Sequence, residues 1–135
     1  MRVSQMSADL QATTEDFFNE FDQAFTSFDG VNVAARYSAP YLAVRVDGSS
    51  ECFASGTAIA GYFQRILDSY RQKGCRCCRH RDLRVVEAGK AAVFATVTWD
   101  LLRDDNSVLK SWRESYNLVL AGTKLKACAS LDHAQ

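Results

Sequence analysis

The chain opens on a helical period. Leu10, Thr14, Phe17, Phe18, Phe21, Ala24, Phe25 and Phe28 recur at spacings of three and four, with Glu15, Asp16, Glu20, Asp22 and Gln23 opposite. That stripe buries one helix face and leaves the other in water. Ser7, Thr13 or Thr14 can cap its start, and Gly30 is placed to end it. A short second helix is predicted over residues 31–37, ahead of Pro40, which cannot continue it.

The period then changes to two. Leu42, Val44 and Val46 alternate with Tyr41, Ala43, Arg45 and Asp47, and Asp47-Gly48-Ser49-Ser50 has the composition of a turn. This reads as a hairpin whose short return strand covers residues 51–54. Ser55-Gly56-Thr57 opens a third helix with the apolar stripe Ile59, Tyr62, Phe63, Ile66, Leu67 and Tyr70, closed by Gly74. From there the chain reads as strand over residues 75–87, 91–103, 108–121 and 124–131. Turn compositions at 88–90, 104–107 and 122–123 separate them. Helices first and an antiparallel meander last make an α+β fold rather than alternating β-α-β. No repeat or linker interrupts the chain, so one domain is expected over residues 1–135, with its core at about 10–131.

Composition narrows the function more by exclusion than by assertion. Sixteen basic residues balance sixteen acidic ones, so there is no net field to draw nucleic acid or an anionic membrane. No apolar run approaches the ~18 residues of a membrane span. The first seven residues lack the apolar stretch of a signal peptide, which predicts a cytoplasmic protein. Its five cysteines (Cys52, Cys75, Cys77, Cys78 and Cys128) are then expected as thiols. The run Cys75-Arg76-Cys77-Cys78-Arg79-His80 does not read as a metal site, because Cys77 and Cys78 point to opposite faces of a strand and four arginines stand nearby. No Gly-rich phosphate loop, nucleophile elbow or His-Glu-x-x-His helix is present, so neither a nucleotide cofactor nor a metal is expected.

The candidate chemistry lies in one hairpin. With residues 104–107 as its turn, Trp99 falls opposite Trp112, Val97 opposite Glu114 and Ala95 opposite Tyr116. One face of this hairpin then carries Trp112, Glu114, Tyr116, Leu118 and Leu120, a single carboxylate among apolar neighbours. Desolvation raises the pKa of such a group and fits it for acid or base work. Alternatively, Glu114 sits at an open rim or pairs with Arg45 or Arg103 as a structural ion pair. The opposite face, with Thr96, Thr98 and Asp100 against Arg113, Ser115 and Asn117, reads as solvated or dimer-facing, with Asp100–Arg113 a cross-strand pair. His80 and Asp82 share a strand face and can pair, while His133 is expected to fray with the terminus.

This order of elements resembles the nuclear-transport-factor-2-like superfamily, in its SnoaL-like and ketosteroid-isomerase-like branch. The cues are Phe28-Asp29-Gly30, the helix start Ser55-Gly56-Thr57-Ala58-Ile59, and the closing pair Tyr116-Asn117-Leu118-Val119-Leu120 and Lys124-Leu125-Lys126-Ala127. The resemblance implies a cone of three helices on a strongly curved, mostly antiparallel sheet, a pocket for a small hydrophobic molecule, and a homodimer. It does not fix the chemistry, since its members include isomerases, cyclases, hydrolases, dehydratases and binding proteins. The ketosteroid isomerase positions fall at Phe21, Arg45 and near Tyr116. Phenylalanine has no proton to donate and arginine is no base near neutral pH, so steroid isomerisation is not implied. Two readings follow. One is a cofactor-independent acid/base enzyme of isomerase, dehydratase, hydrolase or cyclase type. It would use Glu114 as proton carrier and Tyr116 as donor, walled by Phe21, Arg45, Tyr62, Phe63, Trp99 and Trp112. The other is a non-catalytic ligand-binding or protein-interaction module.

Overall fold

The computed structural model describes residues 2–134, with side chains from Asp9 onward. Three helices, α1 (Arg2–Thr26), α2 (Gly30–Ala34) and α3 (Gly56–Gln72), pack on one six-stranded sheet. Its strands are β1 (Tyr37–Val44), β2 (Ser50–Phe53), β3 (Cys77–Glu87), β4 (Ala92–Leu102), β5 (Val108–Ala121) and β6 (Lys124–Asp132). Their spatial order is β2-β1-β6-β5-β4-β3, and every pairing is antiparallel except β1 with β6. The sheet is curved and mixed, and the class is α+β.

The aromatic stripe of α1 drives the core. Phe17, Phe18, Phe21 and Phe25 are all buried as the helix lies across β3 and β6. Thr14, fully buried on the same stripe, satisfies its hydroxyl by donating to the Leu10 carbonyl one turn back, 2.6 Å away. Ser7 and Thr13 lie inside the helix rather than at its cap, because α1 already starts at Arg2. Gly30 does not end α1 either. Phe28 turns the chain at φ 52°, Asp29 caps α2 through Val31 N, and Gly30 is the first residue of α2. α2 stops at Ala34 rather than at residue 37, since Tyr37 is taken into β1 by its parallel pairing with Ala127 of β6.

β1 buries Tyr37, Tyr41 and Ala43, while Leu42 of the other parity stays 40% exposed. A bulky aromatic set opposite an aliphatic one leaves the inward face undecided by hydropathy alone, and the packing against Phe53 and Phe63 selects the tyrosines. α3 starts at the expected signal, with Ser55 Oγ accepting from Ala58 N, and ends before Gly74 at φ 104°. In β4, Val93, Ala95, Val97, Trp99 and Leu101 all face the helices, as period two requires.

On the convex face, Asp100 does not pair with Arg113. Asp100 stands opposite Ser111 in the register, accepts from its hydroxyl, and takes Arg79 at 3.0 Å and Arg81 at 2.8 Å from β3. Arg113 instead donates to Thr98 Oγ1. Leu102, at the end of β4, is buried.

Candidate functional site

Concave sheet and helices enclose a cavity of about 410 Å³. Phe21, Arg45, Tyr62, Phe63, Trp99, Trp112, Glu114 and Tyr116 all line it. Three elements bring them together: α1 contributes Phe21, α3 contributes Tyr62 and Phe63, and the hairpin of β4 and β5 contributes both tryptophans, Glu114 and Tyr116. Arg45 stands just past the end of β1. The hairpin register sets Trp99 opposite Trp112, Val97 opposite Glu114 and Ala95 opposite Tyr116.

Glu114 has no arginine partner among the described residues. Arg45 pairs with Glu51 at 2.8 Å, and Arg103 bonds Ser107 and the Val108 carbonyl. The Glu114 carboxyl instead accepts from Trp112 Nε1 at 2.8 Å, and the Tyr116 hydroxyl nearby lowers its pKa slightly. Tyr116 in turn accepts from Trp99 Nε1 at 2.8 Å. Two indole N–H groups thus hold the phenol and the carboxyl inside the aromatic core.

The carboxylate neighbour of Glu114 is Asp132, the residue directly opposite on β6. Burial first, and then the negative charge of Asp132, raise the Glu114 pKa to about 8. Hydrogen bonds to an ionised group contribute about 1.5–3 kcal/mol each. Here the bond from Trp112 and the nearby Tyr116 hydroxyl do not offset desolvation and like charge together, so Glu114 holds its proton at neutral pH. Tyrosines surround the pair: Tyr37, Tyr41, Tyr62 and Tyr70 all line the cavity, and burial raises each phenol pKa, that of Tyr70 to about 12. Tyr41 shares a 2.5 Å hydrogen bond with Ser130, the β6 residue opposite Tyr116. Such a site can give or take one proton in a largely apolar enclosure.

Asp132 lies one residue past the strand end expected at 131, and a plain count misplaces it. From the Gly122-Thr123 turn, β5 and β6 pair Ala121 with Lys124 and Leu118 with Ala127, but Asn117 with Ala129. Cys128 is therefore an extra residue, and the bulge brings Asp132 rather than Leu131 opposite Glu114. Lys110 was legible: it shares the parity of Trp112 and Glu114, and lies on the cavity wall.

His80 does not pair with Asp82. Its Nδ1 lies 2.8 Å from Asp22 Oδ2 on α1, with the ring against Phe18 and Trp99. A register break between Arg81 and Arg84, with Asp82 at φ 55°, takes Asp82 out of the alternation, and its carboxylate meets Arg81. His133 is held rather than frayed, its Nε2 2.7 Å from Ser115 Oγ and its backbone N–H on the Arg113 carbonyl. Cys77 pairs in register with Leu102, and Cys78 with Leu101, which puts the two thiols on opposite faces. Among the described residues no three His, Cys, Asp or Glu side chains are grouped to hold a metal ion, and no helix is long and apolar enough to cross a membrane.

Comparison with solved structures gives the same architecture repeatedly. A domain of unknown function with a cystatin-like fold from Nostoc punctiforme superposes with a TM-score of 0.70 at 16% identity, covering 95% of this chain and 78% of that one. Aln2 from a Streptomyces species gives 0.71 at 18% identity, over 92% and 89% of the two chains. An NTF-2 like protein of unknown function from Shewanella oneidensis gives 0.70 at 8% identity, over 92% and 98%. At such identities the likeness is one of fold. No curated protein matches the sequence. The family model described as NTF2-like protein (DUF6841) matches residues 9–135, and the chain belongs to that family.

Proposed function

We propose that this protein is a cofactor-independent acid/base catalyst that moves a proton on a small, largely apolar substrate. Glu114 is the proton carrier, Asp132 holds its proton affinity near neutrality, and the Tyr116 hydroxyl favours its ionised form. The observation that carries this reading is the buried Glu114 opposite the half-buried Asp132, with no arginine to neutralise it, on the wall of an aromatic cavity. An ion-paired carboxylate would be a strut, whereas one with its pKa raised to about 8 exchanges its proton in the range where catalysis operates. Aromatic walls formed by Phe21, Tyr62, Phe63, Trp99 and Trp112 favour a flat or alicyclic body and exclude water from the exchange.

Solvent-deuterium incorporation into β-tetralone, a small ketone with acidic C–H bonds, tests the reading by NMR. Above about pH 8, where Glu114 is ionised, the wild type should accelerate exchange, with the carboxylate accepting the α-proton and returning a deuteron. Glu114→Gln should remove about a hundredfold or more of that acceleration. A folded E114Q protein that exchanges at the wild-type rate would overturn the proposal. If neither protein accelerates exchange but both bind the ketone, the cavity belongs to a non-catalytic binding module.

A further inference from the structure

We infer that the cavity takes an amphipathic anion: an aromatic or alicyclic body lies among the rings, and its carboxylate or sulfonate group rests on Lys110. This deepens the acid/base reading and uses it only to place the reacting end at Glu114.

Two cations line the cavity, and they differ in what surrounds them. Arg45 is already neutralised by Glu51 at 2.8 Å. Lys110 makes no ion pair among the described residues. Its ammonium stands over two rings of the cavity wall, 5.6 Å from the centre of Tyr70 and 5.4 Å from that of Trp112. Rings hold a cation in place without cancelling its charge, so the ammonium stays available to an anion. Lysine carries three donors and no acceptor, which suits a carboxylate or sulfonate.

The strand sets the length of the ligand. Lys110, Trp112 and Glu114 share one face of β5, and four residues at about 3.4 Å each separate the two ends by about 14 Å. A two-ring body with a short side arm spans that distance once the lysine leans inward, and it fits within about 410 Å³. Charge interactions fall inversely with distance. An anion in contact with Lys110 is therefore attracted roughly three times as strongly as the carboxyl pair repels it. Binding in the reverse direction would set the anion against Glu114 and Asp132, so the charge also fixes orientation.

Two dyes test this directly. Anilinonaphthalene sulfonate and N-phenylnaphthylamine share one body and differ by the sulfonate. Energy transfer from Trp99 and Trp112 reports their arrival in the cavity. Lys110→Gln should weaken the sulfonate roughly three- to tenfold and leave the neutral dye within about twofold. Added salt should reproduce that selectivity in the wild type. Equal weakening of both dyes, or no weakening of the sulfonate, would overturn the inference. The β-tetralone exchange uses a neutral ketone and reads Glu114 without Lys110, so the two proposals fail separately.

Discussion

Glu114 of β5 and Asp132 of β6 face each other directly across the sheet, and one extra residue, Cys128, puts them there. Two carboxyls so placed cannot both ionise without a large penalty, and burial adds to it. Because the folded pKa of Glu114 is raised from 4.5 to about 8, the native state binds a proton there that the unfolded chain has released. Its contribution to stability is fully present below about pH 4.5 and is lost as pH rises through about 8. Glu114→Gln keeps the shape and removes the titration. Thermal melts should show E114Q close to wild type at pH 5 and more stable above pH 8, by on the order of a few kcal/mol. Equal pH dependence in both proteins would contradict the placement of Glu114.

Asp132→Asn removes the like charge and leaves the burial. The Glu114 pKa should then fall from about 8 toward the ordinary carboxylate range without reaching it. Carbon-detected NMR titration of the Glu114 carboxyl measures this directly, and any acid limb in the exchange rate should move with it.

Tyr116→Phe deletes the acceptor of Trp99 Nε1 and the hydroxyl that lowers the Glu114 pKa. Leaving a buried indole N–H unpaired should destabilise the fold by about 1–3 kcal/mol in denaturant titrations. Since the Tyr116 hydroxyl favours the ionised form, its loss should push the Glu114 pKa still higher.

Gly30 of α2 packs closely against the backbone of α3. A Cβ there would lie 2.4 Å from the Ala60 carbonyl oxygen and 2.9 Å from Gln64 N, both backbone atoms. Gly30→Ala should therefore cost about 1–3 kcal/mol, seen as a lowered Tm, even though alanine is the better helix former.

The convex face is the proposed dimer surface. Register aligns Cys52, Leu42, Ala129, Asn117, Phe94 and Val86 in one row across all six strands, and Leu42, Phe94 and Val86 are exposed. Light scattering should give twice 15.0 kDa at micromolar concentration for the wild type. Phe94→Arg should shift the protein to monomer with its cavity intact. A wild-type monomer would remove this surface from consideration.

Whatever follows from local period was legible in the chain alone. Three-and-four spacing fixed α1 and α3, and alternation fixed β4 and β5. Counting from a turn at 104–107 gave the observed register, with Trp99, Trp112, Glu114 and Tyr116 on one face. The hairpin itself closes more tightly, between Arg103 and Ser107, and the extra residue Leu109 restores the count. Periods of this kind need only neighbouring residues. Packing and strand pairing settled everything that depended on a break in the period or on a distant partner. The Cys128 bulge chose Asp132 over Leu131 as the partner of Glu114, and the break at Asp82 left His80 to Asp22, which lies 58 residues earlier in the chain. Parallel pairing with β6 drew Tyr37 out of a helix and into the cavity wall. A bulge moves every later side chain to the other face, and no local pattern records it, so the second carboxylate became visible only once the strands were paired.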